Sequence, residues 1–231
     1  MTLSGHRISI IIPVHNEAGR IGQLLNSLQP FRNRGHEVIV VDGGSTDGTL
    51  DDITGLSDIV LSVTSGRACQ MNAGAQAANG SILWFLHADS IVPESSDQLI
   101  ALALSGKQVW GRFTIRLSGR SWLFRVIEYS MNMRSRISGI VTGDMGIFCT
   151  AETFRQAGGY PDIPLMEDIA FSRSCLKFTR PSVVKQRLVT SSRRWEEQGI
   201  LRTVMMMWQL RLAYFLGADP ARLAQRYGYG N

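Results

Sequence analysis

The side chains in this sequence that could do chemistry gather where apolar runs break off. Val38-Ile39-Val40-Val41 ends in Asp42-Gly43-Gly44, and Ile82-Leu83-Trp84-Phe85-Leu86 ends in His87-Ala88-Asp89. The first apolar run, Ile8–Ile12, ends in Pro13-Val14-His15-Asn16-Glu17. A carboxylate at a strand end, such as Asp42, can accept a hydrogen bond from the imide N–H of a base or from a ribose hydroxyl. Gly43 and Gly44 leave room for such a base and tolerate positive φ. Asp, Gly and Ser are also ordinary turn residues, so Asp42 and Ser45 could serve only their own backbone. Pro13 as a strand stop and Asn16 as a helix cap need no ligand, which leaves His15 and Glu17 without a role. One histidine and one aspartate, His87 and Asp89, make a poor metal signal by themselves. Glu167-Asp168 opens a helix, where carboxylates are favoured by the helix dipole. Arg67, beside Gly66, suits either a phosphate or open solvent. In Ser191-Ser192-Arg193-Arg194-Trp195, two guanidinium groups and an indole could hold a diphosphate or an acceptor phosphate. The same residues could equally form a solvated basic loop with its tryptophan docked in the core.

The elements that must position these groups alternate between two periods. Ile8–Ile12, Val38–Val41, Ile59–Leu61 and Ile82–Leu86 are short apolar runs, predicted as strands, the first two of them buried. Between them, Ile21, Leu24, Leu25 and Leu28 fall at helical spacing behind Asn16 as a cap. Ser45 or Thr46 caps a short helix near Asp47, and Ala68, Met71, Ala75 and Ala78 mark the buried side of a small-residue helix. A β-α-β-α-β-α-β order calls for a parallel sheet with right-handed crossovers, and ligands of such sheets bind beyond the carboxyl ends of the strands. The loops 13–17, 42–47 and 87–89 are therefore expected to converge. Later in the chain, Val109–Ile115, Gly146–Cys149 and Val183–Val189 read as strands. Trp122–Met133, Ala151–Ala157, Asp168–Cys175, Ile200–Leu216 and Pro220–Gln225 read as helices, with a turn at Gly158-Gly159-Tyr160-Pro161.

Composition narrows the class. Apolar residues make up 44% and charged residues 19% of the chain, ordinary for a globular protein. Residues 1–179 hold 15 Lys/Arg against 16 Asp/Glu, whereas residues 180–231 hold 9 against 3. This C-terminal excess suits a phosphate-bearing ligand or an anionic membrane surface, and no pattern favours nucleic acid. Cys69, Cys149 and Cys175 have neither disulfide nor zinc spacing, so a reducing compartment is expected. Ile8–Val14 reads as a strand rather than a signal peptide, and Val204–Leu216 is too short to span a bilayer. The expectation is a cytoplasmic protein, soluble or peripheral at the membrane.

The ordered set Ile12–Glu17, Val40–Thr49, Asn72-Ala73-Gly74, Ala78-Asn79-Gly80, His87–Asp89, Gly158–Tyr160 and Glu167-Asp168 resembles family 2 glycosyltransferases of the short soluble type, over residues 8–175. The resemblance implies the α/β GT-A fold, a mixed, mostly parallel sheet flanked by helices. It implies one domain over 1–231, with a nucleotide-binding half (8–90), an acceptor and catalytic half (100–195) and C-terminal helices (199–231). It implies inverting transfer of a sugar from a nucleoside diphosphate, UDP-sugars being the usual donors, with a divalent cation, Mn²⁺ or Mg²⁺. Pro13, His15, Glu17, Asp42, Gly43, Gly44 and Arg67 would then meet the nucleotide. Asp89 would hold the metal, Asp168 would be the catalytic base with Glu167 in support, and Asp144 would face sugar hydroxyls. Arg193, Arg194 and Trp195 resemble a Gln-x-x-Arg-Trp element lacking its Gln. Two positions depart from the pattern: His87 replaces the first Asp of Asp-x-Asp, where it would join the nucleotide-binding set as a ribose contact, a metal ligand or a group supporting one, and Gly43 stands where a second Asp is common. As a metal ligand, imidazole would suit Mn²⁺ better than Mg²⁺.

Two other readings compete. A sugar-nucleotide-forming nucleotidyltransferase would use a similar sheet, but loop 13–17 lacks the Gly-rich, basic character such enzymes place after the first strand. An inert nucleotide-sugar-binding module fits the two departures, although Asp89 and Asp168 are retained. The acceptor is a small molecule or a lipid-linked one. Val204–Phe215, with Arg202 and Arg211, resembles an interfacial helix and suits membrane, homo-oligomer or core contact alike.

Overall fold

The computed structural model describes residues 6–63 and 66–228. In chain order, β1 (Ile8–Val14) leads into α1 (Ile21–Ser27) and α2 (Gln29–Asn33), then β2 (Glu37–Asp42), α3 (Thr49–Ile53) and β3 (Ile59–Ser62). Helix α4 (Arg67–Ala77) returns the chain to β4 (Ile82–Phe85), followed by α5 (Ser96–Ala103), β5 (Trp110–Leu117) and α6 (Trp122–Ser138). A single 3₁₀ turn, Gly143–Met145, precedes β6 (Phe148–Thr150), α7 (Ala151–Ala157), α8 (Glu167–Cys175) and β7 (Ser182–Thr190). Helices α9 (Arg193–Gln198), α10 (Ile200–Phe215) and α11 (Pro220–Tyr227) complete the described chain.

The seven strands form one sheet in the order β3-β2-β1-β4-β6-β5-β7. Strands β3, β2, β1 and β4 are mutually parallel, β6 is antiparallel to both its neighbours, and β7 is parallel to β5. Strands β1, β2 and β4 read as unbroken apolar runs because both faces are covered, whereas β3 at the sheet edge leaves Val60 exposed. Ile10, Ile12, Val38 and Val40 pack with Leu24, Leu25, Phe31 and Ile100 on one side. On the other, Ile11, Ile39 and Val41 pack with Ala68, Met71, Phe154 and Phe171. A third cluster docks α10 and α11 onto α8 through Leu210, Leu223, Ala224 and Ile169.

Two polar side chains lock the sheet's neighbours in place. The amide of Gln70 on α4 donates to the carbonyls of both Val14 and Val41, at 2.8 Å each, joining the carboxyl ends of β1 and β2. Buried Glu37 accepts from Ser9 Oγ and from the backbone N–H groups of Asn79 and Gly80, which fixes the entry to β4.

The expected caps are not formed. Asn16 takes φ 54° and lies outside α1, whose cap position is Arg20. Its Oδ1 instead accepts from Thr46 N–H at 2.9 Å, so it ties the first loop to the second. Ser45 donates to Asp42, and α3 starts later, behind Gly48. Both short polar side chains join the two loops in place of capping a helix, Ser45 Oγ also accepting from Asn16 N–H at 2.9 Å. Of the expected buried side of α4, Ala68 and Met71 are buried, Ala75 and Ala78 only partly.

Candidate active site

The topology sends the carboxyl ends of β1, β2, β4, β5 and β7, and the amino end of β6, to one edge of the sheet. The strand order reverses between β1 and β4, since β2 and β3 lie to one side of β1 and β4 to the other. Such a switch point is where open α/β sheets hold ligands.

His87-Ala88-Asp89 emerges at this point and is anchored from two sides. Leu86 N–H donates to the Ile11 carbonyl at 3.0 Å. Beyond Asp89, Ile91 and Val189 exchange backbone hydrogen bonds, carrying the loop to the end of β7, from which Arg193 follows. Burial raises the proton affinity of Asp89, Asp144 adds to this, and Arg193 and Arg67 oppose it. Burial pushes the His87 imidazole down to about 3, with Arg67 adding to the effect, so the ring is neutral at working pH. Its Nε2 is out of reach of solvent and has no hydrogen-bond partner among the described residues. A Cβ on Gly143 would stand 2.8 Å from that nitrogen and 3.9 Å from Asp168 Oδ2, so only glycine lets this loop pass between the two.

Asp168 and Glu167 begin α8 behind Met166, which holds φ 70° in the left-handed region. Asp168 accepts from Gly143 N–H at 2.8 Å and from its own neighbour Ile169 N–H at 2.7 Å. Ser172, one turn further on, bonds both N–H and carbonyl of Val141, holding α8 against the segment that carries Gly143. Burial raises both carboxyls of the pair, and the charge of Asp168 raises Glu167 further.

These groups open into one cavity of about 500 Å³. Glu17, Arg67, His87, Asp89, Asp144, Glu167, Asp168, Arg193, Arg194 and Trp195 all line it. Arg194 has less freedom than its type suggests, because its Nη2 donates to the Tyr227 carbonyl at 2.9 Å and its guanidinium stacks 3.7 Å from the Tyr227 ring centroid. Trp195 is partly exposed on the cavity wall and not docked in the core.

Part of the expected nucleotide set lies outside the cavity lining. Asp42 sits at the correct sheet edge but is only 2% exposed, and its carboxylate accepts from Gly44 N–H, Ser45 N–H and Ser45 Oγ. It holds its own turn. His15 is exposed, with its Nε2 3.4 Å from Asn16 Nδ2. The position of Gly43 is explained by Gln70, whose Nε2 would lie 3.0 Å from a Cβ there, and Gly44 takes φ 87° in the turn. Pro13 remains a paired residue of β1, in register with Val41.

Two residues that the sequence reading did not assign line the same cavity. Arg134 of α6 and Arg211 of α10 reach it with Nε of both, and Nη2 of Arg134, buried and without hydrogen-bond partners among the described residues. Arg211 stood out only as a charge within an apolar run, and Arg134 carried no such signal.

The glycosyl transferase family 2 model matches residues 9–156, and the chain belongs to that family. An undecaprenyl-phosphate 4-deoxy-4-formamido-L-arabinose transferase of Yersinia pestis is 28% identical over 164 residues, 65% of this chain and 49% of its own length. The chain thus spans about half the length of the curated relatives it matches. Among solved structures, residues 1–349 of S. aureus TarS in complex with UDP align with TM-score 0.66 and 22% identity over 80% of this chain and 60% of that one. The mannosyltransferase PcManGT of Pyrobaculum calidifontis, in complex with GDP-Man and Mn²⁺, aligns with TM-score 0.62 and 20% identity over 90% of this chain and 61% of that one. The mixed seven-stranded sheet is that of GT-A glycosyltransferases.

Proposed function

We propose that the cavity at the sheet edge transfers a sugar from a nucleoside diphosphate, a UDP-sugar by default and a GDP-sugar as the alternative, to a small-molecule or lipid-linked acceptor. The observation that carries this reading is that Asp89 and the Glu167–Asp168 pair line one cavity although they come from separate elements. The diphosphate lies between Asp89 and Arg193, with Glu17 and Arg67 toward the nucleoside, and Asp144 meets sugar hydroxyls. The acceptor hydroxyl attacks the anomeric carbon as the bond to the diphosphate oxygen breaks, and its proton passes to Asp168. A single displacement inverts the anomeric centre. The raised proton affinity of Asp168 suits a base that must accept a proton near neutral pH.

A divalent cation is part of the proposal, with Asp89 as its protein ligand and neutral His87 as the candidate second. Among the described residues no three His, Cys, Asp or Glu side chains cluster to hold a metal. That fits an ion of the Mg²⁺ or Mn²⁺ type, which takes one or two protein ligands and completes its shell with substrate phosphates and water. When bound, such an ion neutralises charge on the leaving diphosphate. Residues 1–231 are proposed to act as one domain, its 8–90 half toward the nucleotide and its 100–195 half toward the acceptor. No described helix is long and apolar enough to cross a membrane, and contact with a membrane or a second copy through the C-terminal helices belongs to the proposal.

The test is UDP release from UDP-sugars by wild type and Asp168→Asn, alongside calorimetric titration of UDP. The variant is expected to keep UDP affinity and lose about 10²–10⁴-fold in turnover, the range for removal of a general base. Wild-type turnover in Asp168→Asn would remove the base from the scheme. Pyrophosphate release from UTP and a sugar phosphate would replace it with nucleotidyl transfer.

A further inference from the structure

The cavity has two unlike halves. At one end the guanidinium groups of Arg134 and Arg211 lie close enough to Asp144 and Asp168 to feel their charge, with buried nitrogens that lack partners among the described residues. Toward the amino ends of the same two helices the lining is apolar, with Val126, Ile127 and Met131 from α6 and Val204, Met207 and Trp208 from α10.

This apolar half continues onto the outer surface. Val126 and Trp208 line the cavity and are nevertheless 55% and 67% exposed. Along α6, Trp122, Val126 and Tyr129 fall on one exposed face, and along α10 so do Leu201, Met205, Trp208, Leu212 and Phe215. Contiguous exposed apolar surface of this kind marks an interaction site. Aromatic and aliphatic residues on one helix face, with exposed arginines nearby such as Arg202, suit an interfacial helix on an anionic leaflet.

We propose that the acceptor is a lipid phosphate held in a membrane, and that this assignment deepens the sugar-transfer reading on which it rests. Its phosphate sits against Arg134 and Arg211, a P–OH oxygen serving as the attacking hydroxyl that gives its proton to Asp168 as the bond to the leaving diphosphate breaks, and its hydrocarbon chain leaves between α6 and α10 across Val126 and Trp208. The surface stripes rest on the bilayer. Each half of the cavity excludes a simpler occupant. A free polar phosphate has no use for the apolar half. An uncharged apolar partner, or a second copy pressing the same stripes together, leaves buried guanidinium nitrogens unpaired, which is costly.

Farnesyl phosphate, farnesol and inorganic phosphate are titrated calorimetrically against the full chain, with UDP titrated in parallel. Farnesyl phosphate is expected to bind at least about tenfold more tightly than either fragment. Arg134→Gln and Arg211→Gln are each expected to erase its advantage over farnesol. Trp208→Glu, at an exposed position that a folded chain tolerates, is expected to weaken both prenyl compounds and leave UDP binding unchanged. Co-sedimentation should favour phosphatidylcholine vesicles doped with phosphatidic acid over pure phosphatidylcholine. Equal affinity for inorganic phosphate and farnesyl phosphate overturns the proposal in favour of a small free acceptor. Equal affinity for farnesol and farnesyl phosphate overturns it too, as does stripe-dependent dimerisation without vesicle binding. If UDP binds and farnesyl phosphate does not, only the acceptor assignment falls, whereas a chain that binds no UDP overturns the donor reading as well.

Discussion

Glu167 and Asp168 place two carboxyls in one buried position, and the consequence has a definite sign. Burial holds both carboxyls above the usual carboxylate range, the charge of Asp168 raising Glu167 further and that of Asp144 raising Asp168. A base works only when ionised, so kcat/KM should fall as pH drops through that raised value. Stability runs the other way. A carboxyl whose proton affinity is higher folded than unfolded stabilises below its unfolded pKa, and that contribution is lost as pH rises through the folded value. At pH 8 the pair therefore works against folding, as active-site residues often do. Glu167→Gln should raise Tm at pH 8 by about 2–4 °C, with the gain shrinking toward pH 4 in a thermal-shift series. An unchanged or lowered Tm at pH 8 would show that the pair is not strained by burial. His87, neutral well below this range, should add no step to either profile. At this scale the sequence exposed the carboxylates because they follow strand ends or open a helix. It could not expose Arg134 or Gly143, whose significance comes only from what faces them across the cavity.

The elements are held at the site by side chains that imitate backbone. Asn72 of α4 donates from Nδ2 to the Tyr160 carbonyl at 2.8 Å and accepts at Oδ1 from Tyr160 N–H at 2.9 Å. That pair fixes the turn between α7 and α8, and through it the start of α8 that carries Glu167 and Asp168. Asn72→Ala strands both backbone groups and should cost about 1–3 kcal/mol in urea denaturation, with kcat reduced and the UDP Kd little changed. Unaltered stability would mean the turn holds itself. Strands β1, β2 and β4 were legible because they are apolar runs buried on both faces, and α10 and α11 because of their spacing. Helices α5 and α9 were not, since α5 buries the polar Ser96 and Asp97 beside Ile100 and α9 buries no side chain. Asn16 and Ser45 misled for one reason: a short polar side chain serves a cap or a distant loop equally well, and only the fold decides.

Across the whole molecule, the first four strands and their parallel pairing followed from alternating periods, and with them the convergence of loops at one edge. The insertion of β6 antiparallel between β4 and β5 did not, because three residues carry no periodic signal. That insertion matters, since it brings the Gly143–Met145 turn to the edge where β4 delivers His87 and Asp89. The C-terminal helices then close the cavity from the far side, with α10 contributing both Arg211 and the apolar wall. Asp42 shows the limit of motif reading: its place at the edge is as expected, yet its carboxylate serves its own turn.

The central claim is that Asp89 and Asp168 face one donor diphosphate from opposite sides of one cavity. A crystal structure of the chain with UDP and Mn²⁺ tests it most directly, the metal being located by anomalous scattering. The expected result is Mn²⁺ bound to an Asp89 oxygen and to the diphosphate, with Arg193 beside the phosphates and Asp168 across open space on the acceptor side. UDP bound away from this edge, or Mn²⁺ on the diphosphate with Asp89 uninvolved, would contradict it.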